Sequence, residues 1–316
     1  MGLDTASVKF LCAARSLGLD FTRTAMIGRQ SFYPDAGSLK RVFSVLGIDH
    51  DAESLLRENE FSERFFELLG AKEVASLDYS TYENATVIHD MNAPIPSELK
   101  QRFSVVHDGG TIEHVFNIPQ AFKNCMEMVA VGGHFTQVNV ANNYMGHGFW
   151  QVSPELLFRI FSPPNGFQTE AVLLHEVVPG GAWYVVADPD QVRARVELCN
   201  SNPTYVMTIA KRIASTEIFA TPPLQSDYVA LWDTTLNPPP ERVFPAPTGW
   251  RKYVPRPVKE AAKSALRGMS LLDGKPKLKR GFGESCYRQI DEEVLLHGRL
   301  GESLPTTPAR ISPDAQ

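Results

Sequence analysis

The segment from Phe103 to Gln137 constrains the possible fold more than any other part of the chain. It begins with Phe103–His107, a short apolar run that is typical of a strand buried on both faces. Asn117, followed closely by Pro119, indicates the start of a helix. Glycine pairs separate this helix from the strands on either side, the second of which is predicted over His134–Val140. The pattern therefore predicts a strand–helix–strand unit of an α/β fold.

Polar side chains are concentrated in the loops of this unit. In open α/β sheets, ligands bind at the edge formed by the carboxyl ends of parallel strands. The loops predicted at that edge carry Asp108, Thr111, Glu113, His114, Asn142, Asn143 and His147. We therefore expect a ligand site there.

The same segment resembles the fourth and fifth strand region of class I S-adenosylmethionine-dependent methyltransferases. The resemblance rests on Asp108, Glu113-His114-Val115 and Val131-Gly132-Gly133-His134, and it extends over about residues 20–215. It implies a Rossmann-like α/β domain with a seven-stranded, mostly parallel sheet and flanking helices. The last two strands, predicted over Phe167–Val177 and Tyr205–Ile213, would form an antiparallel pair at the edge. The resemblance also implies S-adenosylmethionine as the cofactor and a small acceptor methylated on oxygen or nitrogen, with a sugar or glycan as one candidate.

The loop after the first predicted strand departs from the family pattern. Family members usually have several glycines here, which let the backbone approach the cofactor. After Arg23–Ile27, this chain has Gly28-Arg29-Gln30. The sequence is closer to a subgroup of methyltransferase-like proteins with a Gly-Arg-Gln loop. All three loop residues are predicted to contact the cofactor.

The resemblance also implies cofactor contacts after the second, third and fourth strands. A carboxylate at Asp78 is suited to the ribose hydroxyls, and Asp90 would accept a hydrogen bond from the adenine amino group. Both are also common turn residues. Tyr79 and Met91 would offer apolar faces to the adenine ring. The predicted cofactor contacts are Gly28, Arg29, Gln30, Asp78, Tyr79, Asp90, Met91, Asp108 and Gly109.

Three residues are candidates for catalysis: Glu113, His114 and His147. A histidine titrates near neutral pH, so either His114 or His147 could act as the base that deprotonates an acceptor. Glu113 and His114 could instead hydrogen-bond within their loop and shape the site. The acidic and histidine residues also permit a bound Mg²⁺, although we predict no resident metal.

Charge is distributed unevenly along the chain. The net charge is −5, but residues 251–280 hold ten basic and two acidic residues, a local balance of +8 that leaves −13 elsewhere. An acidic body argues against nucleic-acid binding. The basic segment includes a predicted amphipathic helix over 257–269 that could contact an anionic membrane surface or an acidic partner. The oligomeric state is left open.

The chain divides into two regions by composition. We predict a methyltransferase-like Rossmann domain over residues 1–220. Residues 221–316 are predicted to be an irregular, basic C-terminal region that consists of a proline-rich linker, the basic helix and a disordered tail. The four cysteines are far apart, which argues against disulfides and a thiolate zinc site. No apolar run approaches the roughly 20 residues that span a bilayer, and no signal pattern is found, so we expect a cytoplasmic protein.

Two alternatives to a methyltransferase stay open. The altered Gly28-Arg29-Gln30 loop favours a non-catalytic, methyltransferase-like binding or scaffold protein. An α/β enzyme that binds another nucleotide-containing ligand, such as a nucleotide sugar, would also use Asp78 for a ribose. The number of polar residues around Glu113 favours an enzyme.

Overall fold

A central sheet of nine strands organises the fold in the computed structural model of the protein, which describes residues 2–58, 60–192, 195–229, 232 and 286–300. The strands of the described chain are β1 (Gly2–Leu3), β2 (Arg23–Ile27), β3 (Ser31–Phe32), β4 (Glu73–Asp78), β5 (Val87–Ile88), β6 (Phe103–Asp108), β7 (Val129–Val140), β8 (Phe167–Glu176), β9 (Trp183–Val186), β10 (Thr204–Arg212) and β11 (Tyr287–Ile290). The described helices include α1 (Thr5–Ser16), α2 (Ala36–Leu46), α3 (Ala52–Glu58), α4 (Glu63–Leu69), α5 (Ile118–Met128), α6 (Pro154–Ile160), α7 (Pro189–Val192) and α8 (Glu292–Leu296). β1 and β3 pair separately from the central sheet.

The strand order confirms the predicted Rossmann-like α/β fold. Across the sheet the order is β5, β4, β2, β6, β7, β10, β8, β9, β11. The five strands from β5 to β7 are parallel to one another, and their chain order across the sheet is the 3-2-1-4-5 of a Rossmann fold. β10 is antiparallel to both β7 and β8, as predicted for the last pair. The predicted position of this pair at the edge of the sheet is wrong, because β9 and β11 lie beyond β8.

The strand order also determines where a ligand would bind. The chain passes from β2 to β4 on one side, and later places β6 on the other side of β2. A crevice forms at such a switch point, outside the carboxyl ends of the strands. The loops that meet at this edge follow Ile27, Asp78, Asp108 and Val140.

Two apolar layers cover the sheet. One includes buried residues of α1, α2 and α4, and the other is built by α5 and α6. The second layer contains a cluster of stacked and edge-on rings from Phe122, Phe135, Phe161 and Phe167. Because the sheet is covered on both faces, all six residues of β6 are buried.

The folded unit extends beyond the boundary predicted at residue 220. β11 pairs with β9 at the edge of the sheet, and α8 packs against α1. Leu295 and Leu296 of α8 are buried in the core, and Lys9 of α1 forms an ion pair with Glu292 at 2.7 Å. Residues 286–300 therefore belong to the α/β domain rather than to a tail. β9 and β11 bring the sheet to nine strands, two more than predicted.

The basic segment 251–280 lies outside the described residues, as does the helix predicted over 257–269. Its contact with a membrane surface or an acidic partner therefore stays a prediction. Within the described part of the chain, no helix is both long enough and apolar enough to cross a bilayer.

The junction between α5 and β7 depends on one buried arginine. β7 begins at Val129, ahead of the predicted start at His134, because Val129 already pairs with Phe103. The helix end leaves carbonyl groups without intrahelical partners. Nη1 of Arg212 donates to the carbonyl oxygens of Met126, Glu127 and Val129 at 3.1, 3.1 and 2.7 Å. Arg212 therefore satisfies the C-terminal end of α5 from the neighbouring strand β10.

We expect the substitution Arg212→Ala to lower the free energy of unfolding by about 3 kcal/mol, because three carbonyl oxygens lose a charged donor. Arg41→Ala, at an exposed position of α2, is the matched control and should change stability by less than about 0.5 kcal/mol. Urea denaturation of the two variants tests this. Equal stability of both would show that Arg212 does not hold the junction.

Candidate functional site

Asp108, the last residue of β6, holds the loop that follows it. Its side chain is fully buried. Oδ1 accepts hydrogen bonds from the backbone N–H groups of Thr111 and Ile112 at 2.9 and 3.2 Å. Oδ2 accepts from the side-chain amides of Gln137 and Asn139 at 3.2 and 3.4 Å. Burial raises the pKa of Asp108, and these hydrogen bonds oppose the rise. Both oxygens are thus engaged within the protein, and the predicted contact with a cofactor stays a prediction.

The Asp108 turn places Glu113 in a buried position at the edge of the sheet. Glu113 lies in a 3₁₀ turn, Ile112–His114, and its side chain is 1% exposed. Oε2 accepts a hydrogen bond from Nδ2 of Asn139 at 2.9 Å, whereas Oε1 is buried without a hydrogen-bond partner among the described residues. Burial and the neighbouring Asp108 raise the pKa of Glu113 to about 8.

The structure brings both predicted histidines to Glu113. Nε2 of His147 lies 3.6 Å from Glu113 Oε1, and Nε2 of His114 lies 4.0 Å from the same oxygen. The two imidazole rings are 5.2 Å apart, and both histidines are partly exposed. Burial and the neighbouring His147 lower the pKa of His114. We call these three residues the Glu-His-His cluster.

Backbone hydrogen bonds hold the loops of the cluster together. The carbonyl oxygen of Glu113 accepts from the N–H groups of Phe149 and Trp150, at 2.8 and 3.2 Å. Gly148 has a φ of +71°, and a Cβ there would lie 2.8 Å from that carbonyl oxygen. A glycine is therefore required where the His147 loop crosses the Glu113 turn.

A cavity of about 80 Å³ opens beside Glu113 and His147. Three tyrosines that sequence reasoning did not single out line it: Tyr33, Tyr144 and Tyr205. The rings of Tyr144 and Tyr205 are stacked, with centroids 5.6 Å apart. Their positions in the sequence carry no signal, because they come from three separate elements. The cavity gives the cluster an aromatic wall on which a small acceptor could rest.

The residues of the altered first loop pack against neighbouring parts of the protein. Gly28 has a φ of +73°, and a Cβ there would lie 2.6 Å from Thr111 Oγ1. Arg29 bridges to Glu63 at 2.6 Å and to the carbonyl oxygen of Glu83 at 2.8 Å. The predicted cofactor contacts Gly28 and Arg29 thus have structural roles in this conformation.

Gln30 occupies the gap between the first loop and the loop after β6. Its side chain is fully buried, and its amide lies directly against Gly109. Nε2 donates a long hydrogen bond to the carbonyl oxygen of Ile27 at 3.4 Å, and Oε1 is buried without a described partner. A buried amide oxygen without a partner is costly and indicates a group that a ligand could satisfy.

The remaining predicted contacts lie along the same edge, after β4 and β5. Asp78 is half-buried, and its Oδ1 accepts from the N–H of Ser80 at 3.3 Å. Tyr79 is 74% exposed. Asp90 Oδ1 accepts both from the backbone and from the side chain of Asn92, which closes a turn, and Met91 is buried in the core. Of the four residues, Tyr79 is therefore the most exposed, Asp78 and Asp90 are both half-buried, and Met91 is enclosed.

The close packing of Gln30 against Gly109 should make stability sensitive to a larger residue at position 109. In Gly109→Ala, the new Cβ would lie 2.6 Å from the Gln30 amide, and we expect a loss of about 1–3 kcal/mol in the free energy of unfolding. In a Gln30→Ala background the same change should cost at least about 1 kcal/mol less.

Urea denaturation of the two single variants and the double variant gives this coupling. Gly37→Ala in α2 is the control, because a Cβ there meets only Asp35 Oδ1 at 3.4 Å. Additive effects of the Gly109 and Gln30 substitutions would show that the two residues do not pack as described.

Comparison with known proteins finds similarity to solved structures only at low sequence identity. No protein-family model and no curated protein matches the chain. An S-adenosylmethionine-dependent methyltransferase from Mesorhizobium loti is 15% identical over 65% of this chain and 98% of its own, with a TM-score of 0.35. The branched-chain polyamine synthase from Thermus thermophilus, solved with N4-aminopropylspermidine and 5′-methylthioadenosine, is 12% identical over 71% of this chain and 60% of its own, with a TM-score of 0.35. At these values the assignment of the fold depends on the strand order described above.

Proposed function

We propose that the protein transfers a methyl group from S-adenosylmethionine to an oxygen or nitrogen atom of a small acceptor. The observation that supports this most directly is the Glu-His-His cluster, which lies beside a cavity at the carboxyl ends of β6 and β7. This is next to the switch point where open α/β sheets bind ligands. A scaffold protein has no need for a buried, unpaired carboxylate oxygen facing two histidines.

Methyl transfer asks little of the protein. The cofactor supplies a methyl group on a positively charged sulfur, which is already activated. The chain then has to place the acceptor atom in line with the methyl group and the sulfur, and to accept the proton that the acceptor loses. In this proposal the aromatic wall of Tyr144 and Tyr205 orients the acceptor, and the Glu-His-His cluster activates it.

The residues at the edge are compatible with this cofactor at two points. Asp78 has a half-buried carboxylate at the end of β4, which is suited to the two hydroxyl groups of a ribose. The buried Oε1 of Gln30 is an unsatisfied acceptor, and an ammonium group such as that of the cofactor's amino-acid part could donate to it. Gln30 would then replace, by its side chain, a contact that glycines make possible elsewhere in the family.

One observation favours a different ligand. The Gln30 side chain fills space that a glycine would leave open for a backbone approach to the cofactor. A binding protein without methyl transfer, or an enzyme for another nucleotide-containing ligand such as a nucleotide sugar, would also use Asp78 for a ribose. Competition between S-adenosylmethionine and nucleotide sugars separates the two classes of ligand.

Calorimetric titration with S-adenosylmethionine and S-adenosylhomocysteine tests the proposal. We expect micromolar binding, and we expect Asp78→Ala to weaken it tenfold or more, about 1.4 kcal/mol, because the ribose loses its acceptor. Asp49→Ala, at an exposed position after α2, is the control and should bind as the unmodified protein does. Absence of heat and of a thermal shift at millimolar ligand would overturn the assignment of the cofactor, and nucleotide sugars should then be titrated.

A further inference from the structure

We propose that Glu113, His114 and His147 form a binding site for a divalent metal ion of borderline-soft character, such as Zn²⁺. The sequence alone permitted Mg²⁺ near these residues and led us to predict no resident metal. The side-chain geometry supports a metal of a different class. Binding of the ion stands apart from the proposed function, but its role in acceptor activation rests on that function.

The three side chains converge at a distance suited to one ion. One ligand atom from each residue, the carboxylate oxygen or an imidazole nitrogen, lies within 4.8 Å of the other two. Glu113 Oε1 is 3.6 Å from His147 Nε2 and 4.0 Å from His114 Nε2. In a tetrahedral zinc site with bonds of about 2.0–2.1 Å, ligand atoms lie roughly 3.4 Å apart. To bind one ion in this geometry, any two of the ligand atoms must therefore approach each other by about 1.4 Å or less. The two histidines are partly exposed, so side-chain rotation can make this movement.

The unpaired oxygen of Glu113 is a second, independent observation. The side chain is 1% exposed, and Oε1 has no hydrogen-bond partner in the described part of the chain. Burying a carboxylate oxygen without a partner is costly, and such groups in native structures usually pair or coordinate a metal. Oε1 faces both imidazole Nε2 atoms, so an ion between the three atoms would satisfy it.

Asn139 holds the other oxygen of Glu113, Oε2, in the way that an outer-shell residue holds a metal ligand. Asn139 Nδ2 donates to Glu113 Oε2 at 2.9 Å, and Asn139 Oδ1 accepts from the N–H of Val140 at 2.7 Å. The same Asn139 amide reaches Asp108 at 3.4 Å. Outer-shell hydrogen bonds of this kind orient a ligating carboxylate. The orientation of Oε1 is therefore built into β7 and does not depend on the ion.

The donor set selects the class of metal. Two imidazoles and one carboxylate suit Zn²⁺ and neighbouring first-row ions such as Co²⁺, whereas Mg²⁺ and Ca²⁺ prefer oxygen ligands alone. Three protein ligands leave a coordination position open, as in catalytic zinc sites. The cavity lined by Tyr144 and Tyr205 adjoins the cluster. An acceptor oxygen there would meet the ion, which lowers the pKa of a coordinated hydroxyl. Neither histidine is then a free base, because both hold the ion.

Titration of the full-length protein with Co²⁺, after treatment with a chelator, tests the site by visible absorption. We expect one Co²⁺ per chain and displacement of its spectrum by Zn²⁺. His114→Ala and His147→Ala should each weaken Co²⁺ binding at least about 100-fold, since loss of a direct ligand should exceed the effect of losing an outer-shell partner. His297→Ala, at an exposed position directly after α8, is the matched control and should bind Co²⁺ unchanged.

Several results would overturn the site: less than one Co²⁺ per chain, a spectrum unaffected by Zn²⁺, or equal Co²⁺ affinity in His147→Ala and His297→Ala. Circular dichroism confirms that the variants are folded, which we expect because both cluster histidines are partly exposed. The Co²⁺ titration contains no S-adenosylmethionine, so it is independent of the calorimetric titration with the cofactor. Co²⁺ binding without cofactor binding would support the metal site and overturn methyl transfer. Cofactor binding without Co²⁺ binding would overturn the metal site and leave methyl transfer supported.

Discussion

The site depends on the buried carboxylate of Asp108 at the end of β6. Burying a carboxylate is costly unless its oxygens are satisfied. Here four donors satisfy it, two from the following turn and two from side chains of β7. These bonds set the direction in which the chain leaves the sheet, and they place Glu113 within reach of Asn139. The position of the cluster therefore follows from how one charged group is accommodated in the core.

The second determinant is the crossing of two loops. Glu113 accepts backbone hydrogen bonds from the loop after β7, and this crossing brings His147 beside a residue more than thirty positions earlier in the chain. Gly148 makes the close approach possible. The first loop contributes in the opposite way, since Gln30 fills the gap over Gly109. The edge of the sheet is thus open near Glu113 and filled near the switch point, and this difference distinguishes the chain from the pattern it resembles.

Much of the fold could be predicted because its elements carry strong local signals. The strand at Phe103–Asp108 and the helix after Asn117 have the expected apolar pattern and start residues. β9, β11 and α8 were missed because they are four or five residues long and depend on distant partners. β11 pairs with β9 across about a hundred residues of chain, and α8 packs against α1, which lies near the start of the chain. A short edge strand has no periodicity that sequence reasoning could detect. The predicted boundary at residue 220 was wrong for the same reason.

The sequence by itself determined the α/β class, the edge at which polar residues gather, and the identity of Glu113, His114 and His147 as candidates, because each follows from local patterns and from the geometry of parallel strands. Only the tertiary structure decided that these three side chains meet around one unpaired oxygen, that three tyrosines line a cavity beside them, and that Gln30 lies against Gly109. Burial and hydrogen-bond satisfaction depend on residues that are distant in the chain, such as Asn139 for Glu113. They therefore exist only once the sheet has formed.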